Sequence, residues 1–315
     1  MKIALDAMGG DFAPDAIVEG AVLAANDLPA DAQIVLIGDQ ARVEAALRRV
    51  GARPGPRLIV QHAPDVIEMG EHPAKAFTQK PQSSIAVGYG LLKAGEVAAF
   101  CSAGNTGAMM VGALFSVKAL PGVKRPPIAG FIPKTNGETG VIVDVGANAD
   151  CKPEMLEQFA EIGTIYAKYV LGIQAPRVGL LNIGEEEGKG TMDVQEAYQL
   201  LKANAEVRFI GNIEGRDIFL DKCDVIVCDG FTGNVVLKMA ESIYDIMAER
   251  GIQDDYFARY NYEAVGGSPI LGVNGNVVIG HGVSSPMAAG NMVKLGYQMA
   301  AAGVLERFRR VYAAS

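Results

Sequence analysis

The 315-residue sequence is half apolar and one-fifth charged, the make-up of an ordinary globular protein long enough for one large domain or two modest ones. Its net charge of −8, with no dense Lys/Arg face, argues against nucleic acid as the main partner. No apolar run is long enough to span a bilayer, and Met1-Lys-Ile-Ala-Leu-Asp6 reads as a strand at once, so a signal peptide is not expected. Four cysteines, Cys101, Cys151, Cys223 and Cys228, lie on or beside strand patterns and lack zinc-ligand spacing. They fit buried thiols in a reduced, cytoplasmic protein.

Along the chain the recurring unit is a short β-branched run, a loop of Gly, Asn and Asp, and an amphipathic stretch. Ile3–Leu5 opens the series, followed by Asp6-Ala-Met-Gly-Gly-Asp11 and by Pro14 near a helix start. Ile34–Ile37 ends at Gly38-Asp39, and a helical pattern runs from Gln40 to Val50. Leu58–Val60 is a third strand. Residues 62 to 82 read as an insertion with weak regular structure. Val97–Cys101 leads to Ser102-Ala-Gly-Asn-Thr-Gly107 and an apolar helix through Ala119. Residues 121 to 133 form a proline-rich connection. Val141–Val145 precedes Gly146-Ala-Asn-Ala-Asp-Cys-Lys152, and Val178–Leu181 precedes Asn182-Ile-Gly-Glu-Glu-Glu-Gly-Lys-Gly-Thr191 and a helix from Met192 to Lys202. Val207–Ile210 leads to Gly211-Asn-Ile-Glu-Gly215. Val225–Cys228 leads to Asp229-Gly-Phe-Thr-Gly-Asn234 and a helix from Val235. Val277–Ile279 leads to Gly280-His-Gly-Val-Ser-Ser285 and a last long helix toward Arg310.

Strands that alternate with helices, and whose runs are apolar throughout, predict an α/β fold. The expected form is a three-layer α/β/α sandwich around a buried, mostly parallel sheet. Residues 1–315 are expected as a single domain, with a smaller helical lobe around 235–262. Right-handed crossovers would place the loops along one sheet edge.

Several motifs fail on spacing. Gly184-Glu-Glu-Glu-Gly-Lys-Gly-Thr191 has three residues between its first two glycines where a phosphate-binding P-loop has four, and a glycine separates Lys189 from Thr191. No Gly-x-Gly-x-x-Gly opens a helix, no Gly-x-Ser-x-Gly elbow occurs, and three histidines at unrelated spacings make no metal set. What remains are loops suited to a small oxyanion. Ser102, Gly104, Asn105, Thr106 and Gly107 gather hydroxyls, an amide and N–H groups at a helix start, as do Thr232 and Asn234. Lys189, between two glycines, supplies a cation. For each loop a plainer role stands beside this one: Thr106, Thr232 and Asn234 as helix caps, Gly188-Lys-Gly190 as a charged turn, and Asp6 and Asp11 as turn formers. His281 either meets a substrate or packs beside Ser284 and Ser285.

Six segments together resemble one family. They are Asp6-Ala-Met-Gly-Gly-Asp11, Ser102-Ala-Gly-Asn-Thr-Gly-Ala108, Asp144-Val-Gly-Ala-Asn148, Asn182 to Gly190, Gly211-Asn-Ile-Glu-Gly215, and Cys228-Asp-Gly-Phe-Thr-Gly-Asn-Val-Val-Leu-Lys238. In this order, over nearly the whole chain, they are similar to PlsX, the bacterial acyl-acyl-carrier-protein:phosphate acyltransferases. The resemblance implies an isocitrate/isopropylmalate dehydrogenase-like fold without a cofactor, a homodimer, and attack of inorganic phosphate on the thioester of acyl-carrier protein. The acyl phosphate would feed a glycerol-3-phosphate acyltransferase in phospholipid synthesis. That chemistry needs no covalent enzyme intermediate, because phosphate is itself the nucleophile. Lys189 is therefore expected to stabilise phosphate charge and the transition state. By resemblance, Asn234 is expected to hydrogen-bond phosphate or the thioester oxygen. Ser102, Asn105 and Thr106 are expected in the anion pocket. Many such chains carry a long helical hairpin with an apolar tip that contacts membrane. Here the turn, Gly251-Ile-Gln-Asp-Asp255, is short and acidic, which puts peripheral membrane contact in doubt, and a buried apolar face is expected for Ile243, Ile246 and Met247.

Overall fold

The computed structural model describes residues 1–312 and divides the chain into two compact units. The first comprises Met1–Ala119 and Tyr262–Ala301; the second comprises Leu120–Asn261 and the described residues from Ala302 on. Strands are numbered β1 Lys2–Asp6, β2 Gln33–Gly38, β3 Leu58–His62, β4 Ala99–Ser102, β5 Ala129–Pro133, β6 Thr139–Val143, β7 Arg177–Leu181, β8 Arg208–Ile213, β9 Val225–Val227, β10 Ser268–Ile270 and β11 Asn276–Ile279. They form two sheets where one continuous sheet was expected, in the orders β10-β11-β4-β1-β2-β3 and β5-β6-β9-β7-β8. In each sheet every pair is parallel except one at an edge, β10 with β11 and β5 with β6.

Both antiparallel edge strands escape the sequence pattern for the same reason. Pro133 ends β5, inside the stretch read as a proline-rich connection, and Pro269 is the middle residue of β10. Proline removes a ladder donor and is confined to strand ends and edges, so it hides a strand where it is in fact tolerated. The insertion at 62 to 82 contains a short helix, Pro73–Gln79. The last long helix is two helices, Pro286–Ala301 and Val304–Tyr312, which belong to different units.

In the first unit, β1 to β3 step in one direction, and helices Asp15–Asp27 and Gln40–Arg49 lie on one face. The return from β3 to β4 places helix Ser84–Lys93 on the other. The second unit is built alike. Helices Pro153–Tyr169 and Met192–Ala203 pack on each other and on the sheet, and helix Gly230–Glu249 follows β9. Strands β1, β6, β7 and β9 are nearly wholly buried, as strands covered on both faces must be. All four cysteines are buried free thiols, as their sequence setting predicts. Helix Gly230–Glu249 departs from its expected burial. Ile246 is exposed and Ile243 and Met247 are only half-buried, because this helix extends beyond the sheet that covers its first turns.

The second sheet is tied at its β5–β6 end by a buried ion network. The Lys134 side chain is 1% exposed, and its ammonium meets Asp224 and, at 3.1 Å, Asp221. Arg177 reaches the same two carboxylates, with Nε donating to Asp224 Oδ2 at 3.0 Å. Burial opposes ionisation of Asp224, but Arg177 and Lys134 outweigh it and hold the carboxyl well below the usual range. Glu138, Asp221 and Asp224 are close enough to share a metal ion, yet Lys134 already pairs with all three and Arg177 with the two aspartates.

The loops that follow β6 and β9 are stitched together. Gly230 N–H donates to Asn148 O at 2.7 Å, and Asp144 N–H to Cys228 O at 3.0 Å. At Gly233 the backbones come so close that an added Cβ would lie 1.8 Å from Asp144 O.

Two outcomes follow. Lys134→Met should lower stability by about 3 kcal/mol at pH 7, the lower part of the range for breaking a buried pair, because Arg177 still faces Asp224. Asp224 has a depressed folded-state pKa, so its contribution is complete above its unfolded value of about 3.9 and is lost as pH falls through the folded value. The gap between variant and wild type in chemical denaturation should therefore narrow in acid; equal midpoints at pH 7 would refute the network. Gly233→Ala should destabilise by about 1–3 kcal/mol through overpacking, although Ala is the better helix former by about 1 kcal/mol. A raised melting temperature would contradict the close approach.

Candidate functional site

Within the second unit the strands of its sheet deliver two of the predicted loops to one place. The loop after β7 runs from Asn182 to Thr191, and the loop after β9 enters helix Gly230–Glu249. Between them lies a cavity of about 210 Å³. Asn182, Ile183 and Thr191 line it from the first loop, Asp229 and Thr232 from the second, and Leu156, Leu180 and Val194 give it an apolar wall. It is smaller than the pockets of roughly 300–1,000 Å³ that enclose whole small-molecule ligands, so it suits a head group rather than an entire substrate.

Lys189 stands on the outer turn of the first loop, exposed. The loop is held by its own polar groups. Asn182 Nδ2 donates to Lys189 O at 3.0 Å, Lys189 N–H to Glu186 O at 3.1 Å, and Gln195 Nε2 to Gly190 O at 3.1 Å. Gly190 has φ +87°, and an added Cβ there would lie 2.5 Å from Asn182 Oδ1, so only glycine fits this turn. Thr191 caps the following helix through Val194 N–H. Asn182 and Thr191 were missed as site residues in sequence, although both stand in the motif that carries Lys189.

Two of the three neighbouring glutamates are claimed by other lysines. Lys222 meets Glu185 at 2.6 Å and Asp217 at 2.9 Å, and Lys202 meets Glu187 at 2.6 Å. Asn212 Nδ2 donates to Glu186 O at 2.9 Å. Among the described residues, the Lys189 ammonium has no carboxylate within ion-pair distance.

In the second loop Asp229 caps the helix by accepting from Thr232 N–H, and the Thr232 hydroxyl donates to the same carboxylate at 2.8 Å. Thr232 thus serves the cap that its sequence setting allowed. Asn234 is exposed and spends one amide hydrogen on Val145 O at 3.2 Å. The adjoining Asp144–Asn148 turn is organised by Asp144, whose carboxylate accepts from Gly146, Ala147 and Asn148 N–H. Burial pushes the Asp144 carboxyl up, and these donors pull it back.

The remaining predicted residues lie in the first unit. The strand before Ser102 belongs to the other sheet, so the expectation of one shared sheet edge does not hold. Ser102 is fully buried; its hydroxyl donates to Asp6 Oδ2 at 2.7 Å and accepts from Gly104 N–H at 3.0 Å. Asn105 caps the helix starting at Thr106 through Ala108 N–H, and its amide donates to the carbonyls of Glu68, Met69 and Glu71. Both side chains therefore build the loop. Thr106 is exposed, and Gly107 packs where a Cβ would meet Pro73 at 2.3 Å. His281 is half-buried, and its carbonyl accepts from the hydroxyl and N–H of Ser284. Asp6 accepts from Met8 N–H, the turn-forming role read from its glycine neighbours.

Comparison with known proteins supplies the context for this geometry. A family model described as "Fatty acid synthesis protein" matches residues 1–307. The phosphate acyltransferase of Salinibacter ruber is 40% identical over all of this chain and 98% of its own length. That of Pelotomaculum thermopropionicum is 45% identical over 98% of this chain and 94% of its own. Among solved structures, a phosphotransacetylase from Streptococcus pyogenes shares the fold at TM-score 0.66 and 20% identity, covering 97% of this chain and 94% of that one. A 4-hydroxythreonine-4-phosphate dehydrogenase from Burkholderia phymatum does so at TM-score 0.51 and 19% identity, covering 98% and 96%. The α/β fold is thus common to phosphotransacylases and a dehydrogenase, and by its full-length identity to the curated relatives the chain belongs to the PlsX family of phosphate acyltransferases.

Proposed function

We propose that this acyltransferase moves the acyl group of an acyl-[acyl-carrier-protein] to inorganic phosphate, releasing acyl phosphate and free carrier protein for phospholipid synthesis. A phosphate oxygen attacks the thioester carbonyl carbon. The tetrahedral intermediate then expels the carrier's thiolate as the C–S bond breaks, and water protonates that thiolate. Thiolate leaves readily, so what the protein must supply is placement of a dianion and stabilisation of the developing oxyanion. The observation that carries this reading is the exposed Lys189, free of any ion pair among the described residues and next in sequence to Gly190, which lines the cavity together with Asp229 and Thr232. Lys189 would hold the phosphate charge. Asn234, with one amide hydrogen and its carbonyl oxygen unengaged among the described residues, would bond phosphate or the thioester oxygen. In the first unit, exposed Thr106, the N–H group of Gly107 and His281 are anion-binding proposals of their own, whereas the Gly104 N–H is spent on the Ser102 hydroxyl. Ser102 and Asn105 would support them through the loop. No cofactor or metal is required by this chemistry.

A small cavity also suits a short acyl group, the reading that a phosphotransacetylase-like enzyme would carry. No described helix is long and apolar enough to cross a membrane. A homodimer is proposed to cover the exposed row Phe231, Val235 and Met239, spaced four apart on helix Gly230–Glu249. The acidic turn after it argues against membrane insertion there.

Long-chain acyl-carrier protein should release thiol only when phosphate is present, with acyl phosphate trapped as the hydroxamate; turnover confined to acetyl-coenzyme A would favour the short-chain reading. Lys189→Ala should lower phosphate-dependent turnover by about 100-fold, the scale of one oxyanion donor, and Asn234→Ala by about 10-fold to 100-fold. A loss below threefold in a folded Lys189→Ala protein would remove Lys189 from the mechanism. Met239→Glu should shift the mass measured by light scattering from dimer to monomer; a wild-type monomer would refute the dimer.

A further inference from the structure

Three carboxylates lie within four residues of Lys189, an awkward setting for a lysine that must receive a dianion. A free glutamate there would compete for the ammonium and repel phosphate. The structure disposes of two of them. Glu185 is drawn to Lys222, which is itself anchored on Asp217 of the turn after β8. Asp217 is fixed in turn by accepting from Glu214 N–H at 2.9 Å. Glu187 is drawn to Lys202 on the following helix, with Tyr198 O–H donating to the same oxygen at 3.4 Å. Asn212 holds the backbone between them. The Gly211–Gly215 segment, a family motif with no part in the chemistry above, thus acts as a buttress for the Lys189 loop.

We propose that Lys202 and Lys222 are positioning residues for the phosphate site: by engaging Glu187 and Glu185 they keep both carboxylates off the Lys189 ammonium and leave it free for an anion. The proposal rests on Lys189 as the phosphate-binding cation. It explains why a loop with three acidic residues serves an acidic substrate. Both pairs are half-exposed, with Lys202 and Glu187 side chains 55% and 51% open, so each acts through local charge rather than as a strong strut.

Direct binding of inorganic phosphate, measured by calorimetry on the full chain, tests this without relying on turnover. Lys222→Met and Lys202→Met should each weaken phosphate binding about threefold, and the double variant about tenfold, with KM for phosphate rising in step and kcat little changed. Adding Glu185→Gln and Glu187→Gln to the double variant should restore binding to within about twofold, because neither of the two released carboxylates then remains. Lys168→Met is the control for net charge: Lys168 is in the last turn of the 17-residue helix whose first turn lines the cavity, about 20 Å away along its axis, and should leave binding unchanged. Unchanged binding in the double variant, failure of the glutamine rescue, or an equal loss in Lys168→Met would each overturn the proposal while leaving Lys189 in place. If Lys189→Ala itself binds phosphate normally, the underlying assignment of Lys189 falls instead.

Discussion

Asp144 ends fully buried beyond β6, where its two oxygens accept hydrogen bonds from the N–H groups of Ile128, Gly146, Ala147 and Asn148 and from the Asn148 amide. A buried carboxylate is tolerated only when so surrounded, since desolvation without partners would cost several kcal/mol. The arrangement works in both directions: the donors make burial of the charge acceptable, and the charge gathers loop N–H groups that would otherwise need water. It also ties the loop to the strand edge at Ile128 and brings Asn148 O to Gly230 at the start of the helix that carries Asn234. Asp6 does the same after β1, through Met8 N–H and the Ser102 hydroxyl. Each unit thus has one buried aspartate shaping the loop that leaves its sheet.

Acyl transfer to phosphate asks little covalent chemistry of a protein and much placement, so stiff loops matter more than an activated nucleophile. The cysteines are consistent with this. Cys228 lines the cavity, yet burial pushes its thiol well above the ordinary range, and Cys151 is pushed up to about 12, so neither is a ready nucleophile. Lys189 stands next to the cavity-lining Gly190 with no ion pair among the described residues, and Glu185 and Glu187 are paired with Lys222 and Lys202.

The repeated order of strand, glycine-rich loop and helix was legible because each parallel strand buried on both faces is a short apolar run ended by a turn. Nine strand runs were readable in this way. The two edge strands were not, since Pro133 and Pro269 carry a breaker signal that an edge position tolerates. The division into two sheets was also hidden. Apolar runs announce strands, whereas the order of pairing is decided by crossovers such as the return from β3 to β4. At the site, the loops bearing Lys189 and Asn234 were legible from glycine spacing, as was the local capping role of Thr232, but the duties of Ser102 and Asn105 were not. Those duties depend on partners such as Asp6 and Glu68, far away in sequence.

By itself the sequence determined the alternating α/β architecture, the family, and Lys189 as a lysine set between two glycines. These are properties of local pattern and of motifs read in order. Tertiary structure decided that the lysine has no ion pair among the described residues. Lys222 lies 37 residues from Glu185 and Lys202 lies 15 from Glu187, and only the parallel packing of β7, β8 and β9 brings the first pair together. A charge's partners are set by distance in space, and three adjacent glutamates look alike until the fold gives Glu185 and Glu187 different lysines.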